Sequence, residues 1–274
     1  MRTLAIANQK GGSAKTTTAV NLAAALGERG CRVLLLDLDP QASASHWYGI
    51  TDAGRGLLDV LVGHGTLAAL VQPTRTAGVE IVPASTWLVG VEKALAGEIG
   101  AETLLRRHLE TLPADRWAYV VVDCPPTLGL LTVNALAAVQ TVLVPVEAHV
   151  MALQGLAQLL QTVEVVQARL NPALTIAGLL ACRVHARTRH AQEVVEELRR
   201  RFGDLVYHVV IRDNVRLAEC PSFGCPITNY APRSPGAEDY RALAAELLQR
   251  QGDVPYGQGQ TPHDRPQSSR RRRP

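Results

Sequence analysis

Two four-residue runs, Val33-Leu34-Leu35-Leu36 and Tyr119-Val120-Val121-Val122, are apolar at every position. A strand with one wet face alternates apolar and polar side chains, so an unbroken apolar run must be covered on both faces. Short runs of this kind alternate with longer amphipathic stretches along the chain. Strands are predicted over 3–7, 32–36, 79–82, 119–122, 141–144, 175–181 and 205–210. Helices are predicted over 15–29, 101–112, 129–138, 152–170, 189–202 and 236–251. Such alternation specifies an α/β fold, a doubly wound, mostly parallel sheet with helices on both faces.

Nothing within 1–250 reads as a linker or a repeat, and 47% hydrophobic residues over 274 suffice for one sizeable core. From residue 251 the composition turns to Gly, Pro, Gln, Ser and Arg, so 251–274 is expected to be a disordered basic C-terminal tail. No apolar run is long enough to cross a bilayer. The chain enters the first strand-like run directly, without the apolar core of a signal peptide, and a cytoplasmic location is expected. The five cysteines form no CxxC pair and read as small, reduced, buried hydrophobes.

The net charge of +3 is unevenly placed. Residues 253–274 hold five arginines and two aspartates, which leaves 23 basic and 23 acidic residues in 1–252. Any anionic partner of the folded body must therefore meet a local patch. Arginine outnumbers lysine 25 to 3, yet Lys10 and Lys15 stand within six residues of each other. A compact ammonium is a different tool from a planar guanidinium, and this spacing suggests that the ammonium is needed.

Both lysines lie in Lys10-Gly11-Gly12-Ser13-Ala14-Lys15-Thr16-Thr17, between the first strand and the first helix. A glycine-rich turn opening a helix aims backbone N–H groups and the positive helix end at a phosphate. Lys15 is then expected near the β- and γ-phosphates, with the Thr16 hydroxyl on Mg²⁺. The strict GxxxxGK[ST] pattern fails, because Gln9 and Ala14 occupy its two glycine positions. Asp37 and Asp39 follow the second strand, and Asp123 ends the run Val120-Val121-Val122. All three are expected at the carboxyl edge of the sheet, where they could hold a metal and position water.

These residues resemble the ParA/Soj partitioning ATPases of the deviant-Walker group of P-loop NTPases, which also includes MinD. The resemblance runs over about 2–250. It rests on the loop, on Asp37-Leu38-Asp39-Pro40-Gln41, on Asp123-Cys124-Pro125-Pro126-Thr127-Leu128-Gly129 and on Ala152-Leu153-Gln154-Gly155-Leu156. Asn214-Val215-Arg216-Leu217-Ala218-Glu219 and Gly236-Ala237 with Tyr240 complete it. It implies ATP and Mg²⁺ as ligands, residues 10–17 and Asn214 as nucleotide contacts, and Thr16, Asp37, Asp39 and Asp123 around the metal. Lys10 matches the signature lysine that reaches the partner subunit's phosphates, and Gly11 and Gly12 allow close approach across that interface. Asp39 matches the residue that positions the attacking water.

The resemblance further implies an ATP-dependent homodimer that binds double-stranded DNA nonspecifically and is nucleoid-associated. A ParB-type centromere-binding protein is the implied stimulator of hydrolysis. Arg187 and Arg216 match the DNA-contacting positions, within a stretch, 183–216, that holds eight arginines against five acids. The run Arg199-Arg200-Arg201 also reads as a solvated helix end. Three departures from the family pattern stand out: Ile211-Arg212-Asp213-Asn214 replaces Ile-Pro-Arg-Asn, His149 stands where Glu is common, and Ala14 replaces a frequent Gly. A MinD-like membrane-cycling regulator and a metabolic P-loop enzyme are the alternatives. No stable membrane association is expected, because 252–274 offers no amphipathic apolar face.

Overall fold

A computed structural model describes residues 1–149, 152–185 and 188–252. The rest of the predicted tail, 253–274, lies outside the described residues. Seven strands form one sheet in the order β3-β4-β2-β5-β1-β6-β7. They are β1 (Arg2–Ile6), β2 (Val33–Asp37), β3 (Gln72–Pro73), β4 (Val79–Val82), β5 (Tyr119–Asp123), β6 (Thr141–Glu147) and β7 (Thr175–Cys182). All pairings are parallel except that of the short edge strand β3 with β4.

The apolar runs divide between two cores, as the period of two in a strand requires. Leu34, Leu36, Val120 and Val122 face one core, covered by helices that include Leu104–Glu110, Leu130–Ala138 and Ala152–Arg169. Val33, Leu35, Tyr119 and Val121 face the other, covered by α1 (Lys15–Glu28) and the helix Pro235–Arg250. Each such buried side chain contributes about 1.5–3 kcal/mol of transfer free energy, and a strand loaded on both faces holds two helical layers together. Among the described residues, no helix is long and apolar enough to cross a membrane.

The strand predicted over 205–210 does not form. Its place is taken by a 3₁₀ turn, Gly203–Leu205, and an irregular segment touching β7 through a single bridge, Leu179 to Val206. The backbone N–H groups of His208 and Val209 donate instead to the two carboxylate oxygens of Glu246, at 2.9 and 3.0 Å. A side chain 38 residues away thus replaces the ladder that the β-branched pattern suggested. The segment presses so close to β7 that only glycine fits opposite. A Cβ on Gly178 would lie 2.6 Å from the Tyr207 ring and 2.7 Å from the Leu205 carbonyl oxygen.

The helix predicted over 101–112 begins as a 3₁₀ turn, Ala101–Thr103, before Leu104–Glu110. Short helices such as Ser43–Trp47 and Gly56–Leu61, and the helix Val215–Phe223 with its internal Pro221, gave no periodic signal. The first two span two turns or fewer and repeat their apolar face too seldom to be read, and Pro221 interrupts the pattern of the third.

Replacing Glu246 by Ala strands two backbone donors and should lower unfolding stability by about 2 kcal/mol. A urea titration checks this, with an unchanged midpoint as the contrary result.

Candidate nucleotide-binding site

The site follows from register. In the sheet, Ile6 of β1 and Asp37 of β2 both lie opposite Asp123 of β5. Two crossing backbone bonds extend this alignment past the strand ends, Leu38 N–H to Asp123 O at 2.9 Å and Cys124 N–H to Ile6 O at 3.2 Å. The segments after β1, β2 and β5 therefore leave one edge together. β1 is also where the chain turns to build outward in both directions, the crevice in which open α/β sheets bind ligands.

After β1, buried Asn8 braces the loop, donating to Pro145 O at 2.6 Å and accepting Lys10 N–H at 3.0 Å. Gly12 (φ +74°) and Ala14 (φ +66°) are both left-handed. For alanine this conformation costs about 1–2 kcal/mol, the kind of strain found at ligand sites. The turn delivers α1 with no side chain capping its first N–H groups, so they remain available to an anion. The Lys15 ammonium turns back to donate to Lys10 O at 3.1 Å. Burial lowers the pKa of Lys15, while Asp123 and Asp39 pull the other way.

The three acids play different parts. Asp37 accepts Asp39 N–H at 3.1 Å on one oxygen, and Ser45 N–H and Oγ–H at 2.8 and 2.7 Å on the other. These bonds make Asp37 an anchor for the segment carrying Asp39. Asp39 accepts Gln41 N–H at 2.9 Å through one oxygen and lines the pocket. Asp123 is fully buried, and neither carboxylate oxygen has a hydrogen-bond partner among the described residues. Burial raises its pKa well above the carboxylate range, with repulsion from Asp37 adding to it.

Unsatisfied buried acceptors of this kind cost about 1–3 kcal/mol each and call for a ligand. The buried Ser13 hydroxyl is similarly unpartnered among the described residues. Phosphate oxygens, a hydroxyl, waters and one carboxylate are the kind of donor set that Mg²⁺ takes, and Thr16 lines the same pocket. No cage of three His, Cys, Asp or Glu side chains occurs among the described residues, and such a donor set needs none.

The pocket measures about 390 Å³ and runs from residues 11–17 and Asp39 to a far wall of Ile211, Arg212, Asp213, Asn214 and Leu217. Asn214 Oδ1 accepts Arg216 N–H at 2.9 Å, capping the helix Val215–Phe223 and fixing the wall. Gly236 packs here so tightly that a Cβ would lie 3.2 Å from Asn214 Nδ2. Arg212, in one of the departures from the family pattern, lines the far wall with its guanidinium already engaged by the helix behind it. Its guanidinium reaches Asp239 Oδ1 at 2.7 Å and Pro235 O at 3.1 Å.

The arginine excess over 183–216 shrinks once partners are assigned. Arg200 and Arg201 pair with Glu197, Arg199 donates to His208 O at 3.1 Å, and Arg212 pairs with Asp239. Arg216 is largely exposed and donates to Glu219 at 2.9 Å, which leaves further guanidinium N–H groups for a phosphate. Arg187 lies outside the described residues. One residue of this region was missed from sequence: Glu147, at the end of β6, which receives Lys10 Nζ at 2.6 Å. Its signal, an acid ending an apolar strand, was the same one that drew attention to Asp123.

A carboxyl whose folded pKa lies above its unfolded value binds protons more tightly in the folded chain, so stability falls as pH rises between the two. Without metal and nucleotide, Asp123→Asn should therefore be more stable than wild type, by a margin that widens from about pH 5 to about pH 8. Thermal unfolding in chelator at both pH values checks this. A margin independent of pH would contradict the buried-charge assignment.

Comparison with known proteins places this geometry in a family. A family model described as an AAA domain matches residues 1–176. The chromosome-partitioning ATPase Soj of Thermus thermophilus is 49% identical over 250 residues, covering 91% of this chain and 96% of its own. The sporulation initiation inhibitor protein Soj of Bacillus subtilis is 46% identical over 246 residues, covering 89% and 97%. Among solved structures, cobyrinic acid a,c-diamide synthase from Mycobacterium smegmatis, with a bound ATP analogue and magnesium, superposes with a TM-score of 0.81. It is 36% identical and covers 92% of this chain and 96% of its own. The cell division ATPase MinD of Pyrococcus furiosus superposes with a TM-score of 0.72 at 27% identity, covering 90% and 98%. With curated relatives this similar over nearly their whole length, the chain belongs to the ParA/Soj family of partitioning ATPases.

Proposed function

We propose that the chain is an ATP- and Mg²⁺-dependent switch that binds DNA as a nucleotide-sandwich homodimer and leaves it upon hydrolysis. The observation that carries this reading is a division of labour between two lysines. Lys15 is buried and lines its own pocket, whereas Lys10 is partly exposed, lies outside that pocket's lining and is held by Glu147. A second ammonium beside a phosphate loop, outside the lining of that loop's cavity, suits a phosphate on a facing subunit. It would supply charge in trans as an arginine finger does. Gly11 supports the same reading, because a Cβ there meets nothing within 4 Å. Space left open in one chain is space that a partner can occupy.

In such a dimer, Lys15 and the N–H groups of 11–17 hold the triphosphate, and the Thr16 hydroxyl and Asp123 hold Mg²⁺. The metal neutralises charge on the β- and γ-phosphates when bound. Asp39 has one oxygen committed to Gln41 N–H and the other free to orient water. The water oxygen attacks the γ-phosphorus, the bond to the β–γ bridging oxygen breaks, and ADP departs with that electron pair. Because the γ-phosphate contacts belong to both subunits, hydrolysis removes interface energy directly.

Arg216, with Arg187, is the proposed DNA contact, and a ParB-type protein the proposed stimulator. Two relatives bear the name chromosome partitioning protein ParA, from Myxococcus xanthus and Caulobacter vibrioides, at 42% and 43% identity. The solved diamide synthase similarity favours a small-molecule amidation reading as the alternative, and DNA dependence separates the two.

In a gel shift with unrelated duplex DNA, wild type should bind with ATP and Mg²⁺ and lose affinity steeply with salt. Arg216→Glu should weaken binding about tenfold or more, as expected for a lost phosphate contact and an added like charge. Gly11→Val should fold and bind nucleotide yet remain monomeric. ATP-independent DNA binding, or a dimeric Gly11→Val protein, would overturn the proposal.

A further inference from the structure

Glu147 holds a cation on each carboxylate oxygen. Lys10 Nζ lies 2.6 Å from Oε2, and Arg183 Nη1 lies 3.3 Å from Oε1. The hydrogen bond from Lys10, with its charge and that of Arg183 assisting, keeps the Glu147 carboxyl below its ordinary range. The three groups differ in how they are mounted. Glu147 is the last residue of β6, in register with Cys182 of β7, and Ala148 N–H donates to Cys182 O at 3.1 Å. Arg183 follows directly and is fixed in a left-handed conformation, φ +53°, because Val184 N–H donates to Ile211 O at 3.0 Å. Arg183 also lines the nucleotide pocket. The acid and the arginine are thus placed by the sheet, whereas Lys10 rides on the phosphate loop.

We propose that Glu147 is a positioning residue that parks Lys10 on its own subunit, and that Arg183 retains the carboxylate when Lys10 leaves for the facing nucleotide. The inference rests on the dimer reading of the preceding subsection. Its physical basis is the fate of the carboxylate. A half-buried acid stripped of the Lys10 ammonium, with no second cation beside it, would face incoming phosphates with unbalanced negative charge. A second cation on its other oxygen turns loss of a partner into exchange. The parked state also keeps the ammonium off the chain's own phosphate loop, where Lys15 already stands. Glu147 therefore opposes dimerisation, and Arg183 eases it.

The test uses the full-length chain with Mg²⁺ and saturating non-hydrolysable ATP analogue, and reads the dimer dissociation constant by analytical ultracentrifugation. Partly exposed ion pairs contribute up to about fivefold each in an equilibrium constant, and a symmetric dimer opens two. Glu147→Gln should tighten the dimer roughly three- to tenfold, and Arg183→Gln should loosen it by a similar factor. The double variant should follow Glu147→Gln, since Arg183 has no task once the acid is gone. In the nucleotide-free chain, acylation of Lys10 followed by mass spectrometry should run faster in Glu147→Gln than in wild type. Simple addition of charge beside the phosphates would return the double variant to near the wild-type constant, so a double variant that follows Glu147→Gln marks the exchange, and one that returns to wild type overturns it. A dimerising wild type with Glu147→Gln no tighter, or with both variants shifted the same way, overturns this inference alone. A wild type that stays monomeric with analogue and Mg²⁺ overturns the dimer reading and this inference with it.

Discussion

The constraint on which the site depends is the side-by-side parallel pairing of β1, β2 and β5. Because Ile6 and Asp37 both lie level with Asp123, three loops that are far apart in sequence begin at one height and on one edge. The strands can be central because their side chains are apolar on both faces, and helices bury both. Packing thus sets register, and register sets the geometry of the catalytic groups. The energetic expense is borne at Asp123, whose buried oxygens have no partner among the described residues. A fold that stores an unsatisfied acid at the edge of a well-packed sheet is arranged to be completed by a ligand.

The surroundings of that acid sort the other charges by task. Asp37 spends its oxygens on Asp39 and Ser45 and holds a turn in place, while Asp39 keeps acceptor capacity for the cavity. Lys15 is buried among the acids, and Lys10 is held by Glu147 outside the pocket's lining. Arg212, on the far wall of the pocket, is bound by Asp239 and Pro235 O and ties the helix Pro235–Arg250 to that wall. The same residue type does opposite work depending on which acid the fold sets beside it.

What could be read in the sequence was what is local. The apolar runs gave β2 and β5, the glycine-rich turn gave the phosphate loop, and acids directly after apolar runs gave Asp37, Asp39 and Asp123. Ala14 was legible as a departure from pattern, but its left-handed backbone was not. Features that join distant segments were hidden. Lys10 and Glu147 are 137 residues apart, and Glu246 takes backbone donors from a segment whose β-branched pattern promised a strand. Arginine counting over 183–216 overstated the free positive charge, because it stopped short of Glu219, one helical turn beyond Arg216, and of Asp239, 27 residues from Arg212 and beside it only after folding. Propensity reads the chain's own vicinity, and tertiary partners override it.

The central claim is that each nucleotide is served by Lys15 and Asp39 of its own subunit and by Lys10 of the other. It is tested most directly by mixing two hydrolysis-deficient chains, Lys10→Ala and Asp39→Ala. A site built across subunits leaves one complete centre in every mixed dimer, with Asp39 from the first chain and Lys10 from the second. ATPase activity should then reappear on mixing, at about a quarter of the wild-type rate for random equimolar pairing. Activity that stays at the level of the separate variants, under conditions in which mixed dimers are demonstrated, would place Lys10 in its own subunit's site and contradict the shared centre.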